Sequence, residues 1–249
     1  MLSPPNVLIV LDNTANWNQP FENELSALAD VVSALPVEKF NIGLMLFTET
    51  GSGNSNVDGG YVRSAVRRLT ADYKTKLSAL VESLHINDDK SNGGKASKVM
   101  WEAYQYYSGG VPNSGNGKNK TDYSGNTSGS SQSNAIYTLS GNALSSKGAT
   151  AYNGPSQDGC VKNFIIYISN GTPSDNNADI SAATTALRAA GGNTTTIPLS
   201  PSGSQDNVAD EWARFMRQSD LAVKTYTVDV DKVTNGQGPG WTAVLKSIA

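Results

Sequence analysis

Val7-Leu-Ile-Val-Leu-Asp12-Asn-Thr14-Ala-Asn16-Trp17-Asn18 decides the fold. Five consecutive residues that are β-branched or leucine, closed by a carboxylate and a polar turn, predict a central parallel strand. A strand covered on both faces needs apolar side chains on both. That strand delivers Asp12 to its carboxyl end. In open α/β sheets ligands sit in the crevice outside those ends, so a binding site on this chain is expected to start at Asp12. A plainer role is open to the same residue, that of a strand-end carboxylate accepting backbone N–H groups.

Outward from this strand, helical and strand periods alternate. Phe21, Leu25, Leu28, Ala29, Val32 and Leu35 recur at helical spacing until Pro36 ends the segment. Asn41-Ile-Gly-Leu-Met-Leu-Phe47 is a second apolar run, and a weaker strand at about 60–64 follows at hairpin distance, where an antiparallel edge position is expected. Leu77, Leu80, Val81 and Leu84 mark a helix beginning near an Asp72 cap, and Ala96, Val99, Met100, Ala103, Tyr104 and Tyr107 mark another. A buried strand at 162–169 leads to a helix on Ile180, Ala183, Leu187 and Ala190 that Gly191-Gly192 stops. A short strand at 194–197, a helix on Val208, Trp212, Phe215 and Met216, a strand at 223–230 and a helix on Trp241, Val244, Leu245 and Ile248 complete the pattern. This alternation predicts an α/β fold with a doubly wound, mostly parallel sheet and helices on both faces.

One stretch breaks the pattern. From 108 to about 158 the composition shifts to Gly, Ser, Asn and Thr, with scattered anchors at Ile136, Tyr137, Leu139 and Leu144. A run that long without periodicity is an insertion rather than a connector, here within a single domain spanning 1–249. It is expected to be peripheral to folding, as a flexible surface loop or a variable binding surface.

Composition narrows the function. Charged residues make up 16% of the 249, against about 25% in an average globular protein. That profile suits an exported protein. With a net charge of −3 and no Lys/Arg cluster beyond Arg63, Arg67 and Arg68, read as a solvated face, no nucleic-acid partner is expected. Cys160 is the only cysteine, so no intrachain disulfide can form. No apolar run reaches membrane-spanning length, and the amino terminus lacks signal-peptide character.

The spacing Asp12-x-Thr14-x-Asn16 resembles the Asp-x-Ser-x-Ser loop of von Willebrand factor A (VWA) domains, whose side chains help hold a divalent metal. Longer stretches point to one branch of that group: Pro5-Asn6-Val-Leu-Ile-Val-Leu-Asp12, Gly43-Leu-Met-Leu-Phe47, Glu102-Ala-Tyr-Gln-Tyr-Tyr107, Phe164-Ile-Ile-Tyr-Ile-Ser169-Asn170-Gly171-Thr-Pro173, Asn207-Val-Ala-Asp-Glu-Trp212 and Lys224-Thr-Tyr-Thr-Val228. They resemble the amino-terminal VWA-like domain of the PilC/PilY type IV pilus tip proteins, over essentially the whole chain outside the insertion. The resemblance implies an extracellular module at the bacterial surface or pilus tip that works in adhesion and pilus assembly. It also implies minor pilins or the pilus tip complex as partners, a host-surface or other extracellular ligand, and a carboxyl-terminal propeller in the full-length protein.

Carried onto this chain, the metal-site pattern falls at Asp12, Thr14, Asn16, Lys95 and Asn170. The departures replace a serine by an amide, a threonine by an ammonium and an acid by an amide. Magnesium favours oxygen ligands that include carboxylates, and a nearby ammonium repels it, so a degenerate site without metal, and no cofactor, are expected. Lys95 is expected to neutralise Asp12 and to bond the amide oxygens of Asn16 or Asn170. Trp17 could anchor a partner or pack on the insertion.

Other constellations are weaker. Gly93-Gly94-Lys95 at a helix entrance is anion-friendly but lacks phosphate-loop spacing. His85 stands alone, which excludes a Ser-His-Asp triad elsewhere and suits helix-end capping of carbonyls. Asp175-x-Asn177-x-Asp179 and Asp229-x-Asp231 echo calcium loops without the late glutamate, which favours turn and cap roles. The leading reading is a non-enzymatic binding and assembly module; the alternatives are a nucleotide- or phosphate-dependent enzyme and a metal-dependent VWA adhesion domain.

Overall fold

The computed structural model describes residues 3–14, 19–49, 59–90, 93–158, 160–169, 173–202, 207–230 and 238–249. In chain order the elements are β1 (Asn6–Leu11), α1 (Gln19–Ala34), β2 (Asn41–Leu46), β3 (Tyr61–Arg68), α2 (Ala71–Ser83), α3 (Ile86–Asp89), α4 (Ala96–Ser108), α5 (Ser131–Tyr137), β4 (Asn163–Ser169), α6 (Asn177–Ala189), α7 (Ala209–Gln218), β5 (Lys224–Asp229) and α8 (Gly238–Ile248). The five strands form one sheet in the order β3-β2-β1-β4-β5. β1 is central and parallel to both β2 and β4, β5 continues parallel beyond β4, and β3 is the antiparallel edge.

The apolar run of β1 divides between two cores. Leu8 and Val10 join Met45, Ile165 and Tyr167 beneath α4, α6, α7 and α8. Ile9 and Leu11 join Ile42, Leu44, Leu46 and Ile168 beneath α1, α2 and α5. The helical stripes fill these cores: Phe21, Leu25, Leu28 and Val32 from α1, and Val99, Met100, Ala103 and Tyr106 from α4, are buried.

Side-chain amides hold the register at the amino ends of the strands. Asn41 donates to Asn6 Oδ1 and Asn6 to Asn163 Oδ1, each at 2.9 Å, while Asn163 donates to Leu221 O at 2.8 Å. Gly43 sits where the β2–β3 register shifts, and a Cβ there would lie 2.7 Å from the Val66 amide nitrogen, so a side chain at this position collides with backbone.

Several sequence expectations are corrected. Thr70, not Asp72, caps α2, its side chain accepting from Tyr73 N–H at 3.1 Å. No strand forms at 194–197, where Ile197 N–H donates to Glu211 Oε1 at 2.8 Å. His85 caps the start rather than the end of a helix, its Nδ1 accepting from Asn87 N–H.

The larger correction concerns 108–158. The segment is part of the core: Ile136 and Tyr137 of α5 are buried against α2 in the core that α1 also covers, and Ala143, Leu144 and Tyr152 are buried in the opposite core. Buried carboxylates hold it. Glu102 of α4 accepts the N–H groups of Asn113, Ser114 and Gly115 at 3.1, 2.8 and 3.2 Å and the Tyr152 hydroxyl at 2.5 Å. Glu49 accepts from the N–H groups of Asn119 and Lys120. Arg63 and Arg67, read from the sequence as a solvated face, are 2% and 8% exposed because this segment closes over the side of β3 they share. Arg67 pairs with Asp122 at 2.6 and 3.0 Å, and Arg63 donates to Tyr137 Oη at 2.9 Å.

Candidate functional site

The sheet reverses its winding between β1 and β4, since the chain moves outward to β2 on one side and to β5 on the other. The crevice at such a switch point is where open α/β sheets bind ligands. Asp12 is placed there, as expected. Its backbone N–H donates to Ile168 O at 2.9 Å, and its side chain is nearly inaccessible. Oδ1 accepts Thr14 N–H at 3.0 Å, and Oδ2 accepts the Ser169 hydroxyl at 2.7 Å. Burial raises the Asp12 carboxyl above its ordinary range, opposed by the bonds from Ser169 and Thr14.

Neighbouring Asn13 was missed by sequence reasoning, although it holds the carboxyl ends of β1 and β2 together. Its Oδ1 accepts the N–H groups of Phe47 and Thr48 at 2.9 and 3.1 Å, and its Nδ2 donates to Thr48 O at 2.7 Å and Asp89 O at 2.5 Å. Only a side chain with both a donor and an acceptor end can do this, and its partners lie at least 34 residues away in sequence.

Three loops meet over the crevice. Thr14 lies against Gly94, where an added Cβ would come within 3.4 Å of Thr14 Oγ1. Gly94 O accepts Ser174 N–H at 2.8 Å, and Lys95 Nζ donates to Ser174 O at 2.6 Å. The expected Lys95–Asp12 contact is not formed. Lys95 pairs instead with Asp179 Oδ2 at 2.9 Å, while Lys98 takes Asp179 Oδ1 at 2.8 Å. The first turn of α6 supplies this closer acid, which leaves Asp12 to Ser169. Asp179 also closes a capping box with Asn176, in keeping with the cap role read from the sequence. Asn16, Trp17 and Asn170, the remaining predicted site residues, lie outside the described residues, as does the second half of the Asp229 loop.

Asp175 explains why the Gly93-Gly94-Lys95 entrance is poor ground for a phosphate. Lys95 gives α4 no side-chain cap, and the Asp175 carboxylate accepts Ser97 N–H at 3.0 Å in its place. An acid of the chain itself thus sits on the helix N-terminus that an anion would need. Among the described residues, neither Asp175 Oδ2 nor the Tyr167 hydroxyl has a hydrogen-bond partner. Burial pushes Asp175 up to about 6, with Asp179 adding to the rise and Ser97 and Lys95 opposing it.

This acid has a measurable consequence. A carboxyl that ionises near 6 when folded, against an ordinary 3.8, binds its proton more tightly in the native state. Its contribution to stability is therefore complete below about pH 3.8 and is lost as pH rises through about 6. At about 1.4 kcal/mol per unit, the penalty at neutral pH is at most about 3 kcal/mol. Asp175→Asn stays neutral, so the variant is expected to melt higher than the parent at pH 7 and to show a flatter dependence of stability between pH 4 and 7. Denaturant titrations at both pH values check this, and a parallel pH profile for the two proteins would remove the assignment.

Strand order, the antiparallel outer β3 and the Asp12–Thr14 loop at the carboxyl end of the central strand now stand together. The fold is VWA-like. Among the described residues, no group of three or more His, Cys, Asp or Glu is placed to hold a metal ion, and no helix is long and apolar enough to cross a membrane.

No known family profile matches the chain, and no curated protein does. Among solved structures it is similar to proximal thread matrix protein 1 from the mussel byssus. One crystal form gives 9% identity over 91% of this chain and 38% of that one, at a TM-score of 0.44. The other gives 10% identity over 98% and 46%, at 0.40. The chain therefore spans less than half the length of those two structures. An aerotolerance-related membrane protein from Bacteroides fragilis, carrying multiple mutations to serine, shows 12% identity over 98% of both chains and a TM-score of 0.41.

Proposed function

We propose that this VWA-like domain is a non-enzymatic adhesion and assembly module of a type IV pilus tip protein, displayed outside the bacterial cell and engaging minor pilins. The observation that carries the reading is that the described acids and lysines of the crevice are bonded chiefly to the chain's own groups. Ser169 occupies Asp12, Asp179 occupies Lys95 and Lys98, and Asp175 occupies the entrance of α4. Groups committed to one another in this way hold the loops together, which suits a module that works through its outer surface. The stretches that resemble the PilC/PilY family and the low content of charged residues support the pilus assignment.

The test is made in the source bacterium. Deleting the gene is expected to abolish surface pili, and cross-linking of the full-length product is expected to recover minor pilins. A full-length product confined to the cytosol would sink the proposal. Calorimetric titration with Mg²⁺, Mn²⁺ and Ca²⁺ separates it from a metal-dependent adhesion domain. No binding at the Asp12 site is expected below about millimolar metal, equivalent to about 4 kcal/mol of affinity. Tight binding that Asp12→Ala abolishes would favour the metal-dependent alternative.

A further inference from the structure

The two faces of the sheet are covered unequally. Four helices, α4, α6, α7 and α8, pack on one face. On the other, α1, α2 and α5 pack with side chains from β1, β2 and β3, and β4 contributes only the strip nearest α1. Beyond that strip the outward side chains of β5 are exposed, and Tyr226 stacks on the half-buried Phe164 of β4 at 6.2 Å. Val31 of α1 and Tyr226 and Val228 of β5 are 56%, 57% and 42% exposed, and these three are among only five large hydrophobic residues that the described surface exposes. Between α1 and β4 lies a cleft of about 280 Å³ lined by Ile9, Leu28, Val31, Val32, Ile166 and Ile168, with Glu24 at its wall. A parallel sheet normally has both faces covered, and among the described residues no helix covers this strip.

Charge marks its two ends. Glu24, near the start of α1, lies toward the carboxyl ends of the strands, and Lys224 opens β5 at the amino end, on the same face as Tyr226 and Val228. Neither side chain makes a hydrogen bond or ion pair with another described residue. The strip is therefore apolar along its length, acidic at one end and basic at the other. Six residues of β5 span about 20 Å at about 3.3 Å per residue, the length of a helix of about 13 residues.

We propose that this strip docks an amphipathic helix from another polypeptide, lying beside α1 and over β4 and β5. The helix carries a basic residue at the end that meets Glu24, an acidic residue at the end that meets Lys224, and an apolar stripe between them. The described helices of a second copy are a poor source, because, Val31 of α1 apart, the large apolar residues of α1, α2, α4, α6, α7 and α8 already pack in one of the two cores. Helix-in-groove recognition supplies the physics: the stripe at i, i+3, i+4 and i+7 fills the cleft and the terminal charges fix direction. The inference concerns a different face from the Asp12 crevice and holds whether or not the pilus assignment does.

The test uses a stapled helical peptide of about 13 residues with leucines at that spacing, arginine at one end and glutamate at the other. Binding is read by fluorescence anisotropy. Saturable binding is expected, weakened at least about tenfold by Val31→Glu or Tyr226→Lys and by moving arginine and glutamate each to the opposite end of the peptide. Both substituted positions are exposed, so the variants are expected to fold as the parent does. No saturation at about millimolar peptide, or binding indifferent to both substitutions, would overturn the proposal. Concentration-dependent self-association that the same substitutions abolish would overturn it in favour of a second copy.

Discussion

Replacing residues 109–154 with a short Gly/Ser linker is expected to abolish cooperative unfolding. The replacement removes Ile136, Tyr137, Ala143, Leu144 and Tyr152, all buried. Four of these are large, and burying one apolar side chain of such size contributes about 1.5–3 kcal/mol. It also strips Arg67 of Asp122, Arg63 of Tyr137, and Glu102 of the three N–H groups and the hydroxyl that it accepts. A buried charge left without its partner costs about 3–5 kcal/mol. Together these losses exceed the roughly 5–15 kcal/mol by which domains are usually stable. Loop-closure entropy does not rescue the variant, because the penalty arises from orphaned groups rather than from chain length. Near-UV circular dichroism through a urea titration reads the outcome: a broad, non-cooperative change is expected. A sharp transition within a few degrees of the parent on heating would show that the segment is dispensable.

That segment also marks where sequence reasoning stopped. β1, β2 and β4 were legible because strands buried on both faces leave uninterrupted apolar runs, and α1, α4 and α8 because their buried stripes keep helical spacing. The edge position of β3 followed from its weak pattern and hairpin distance. The order of 108–158 was not legible, since it rests on carboxylates bonded to backbone groups, which leave no period. Glu102 sits in the Glu-Ala-Tyr-Gln stretch of α4 like a solvent-facing residue, yet it is fully buried. Arg63 and Arg67 look like an exposed basic pair until the partner 55 residues away is in place. The crevice shows the same limit. Asp12 was placed by the strand it ends, whereas the choice of Lys95 between Asp12 and Asp179 depends on how α6 sits against α4, which the local cap signal at Asn176 and Asp179 does not encode.

Asp122→Ala is expected to be the most damaging single substitution in the chain, at about 3–5 kcal/mol. Asp122 is fully buried and is the point at which the inserted segment grips the sheet edge. It accepts both arms of the Arg67 guanidinium, Asn142 Nδ2 at 2.7 Å and Ala65 N–H at 2.7 Å. Removing it leaves a buried guanidinium with no counter-charge and a backbone N–H of β3 with no acceptor, each of which must then recruit water into the core. The pair itself need not be a net source of stability, because both ions were desolvated to form it. The double variant Asp122→Ala, Arg67→Met therefore separates the two ideas. Methionine removes the orphaned charge and refills part of the volume, so the double variant is expected to be more stable than Asp122→Ala alone. It should still fall short of the parent, because Ala65 N–H and one N–H of the Asn142 amide lose their acceptor. Urea unfolding of the four proteins in the cycle measures this. If Arg67→Met lowered the stability of Asp122→Ala further, the guanidinium would be contributing through Ser140 O and Ser64, which it also contacts, rather than through its charge on Asp122.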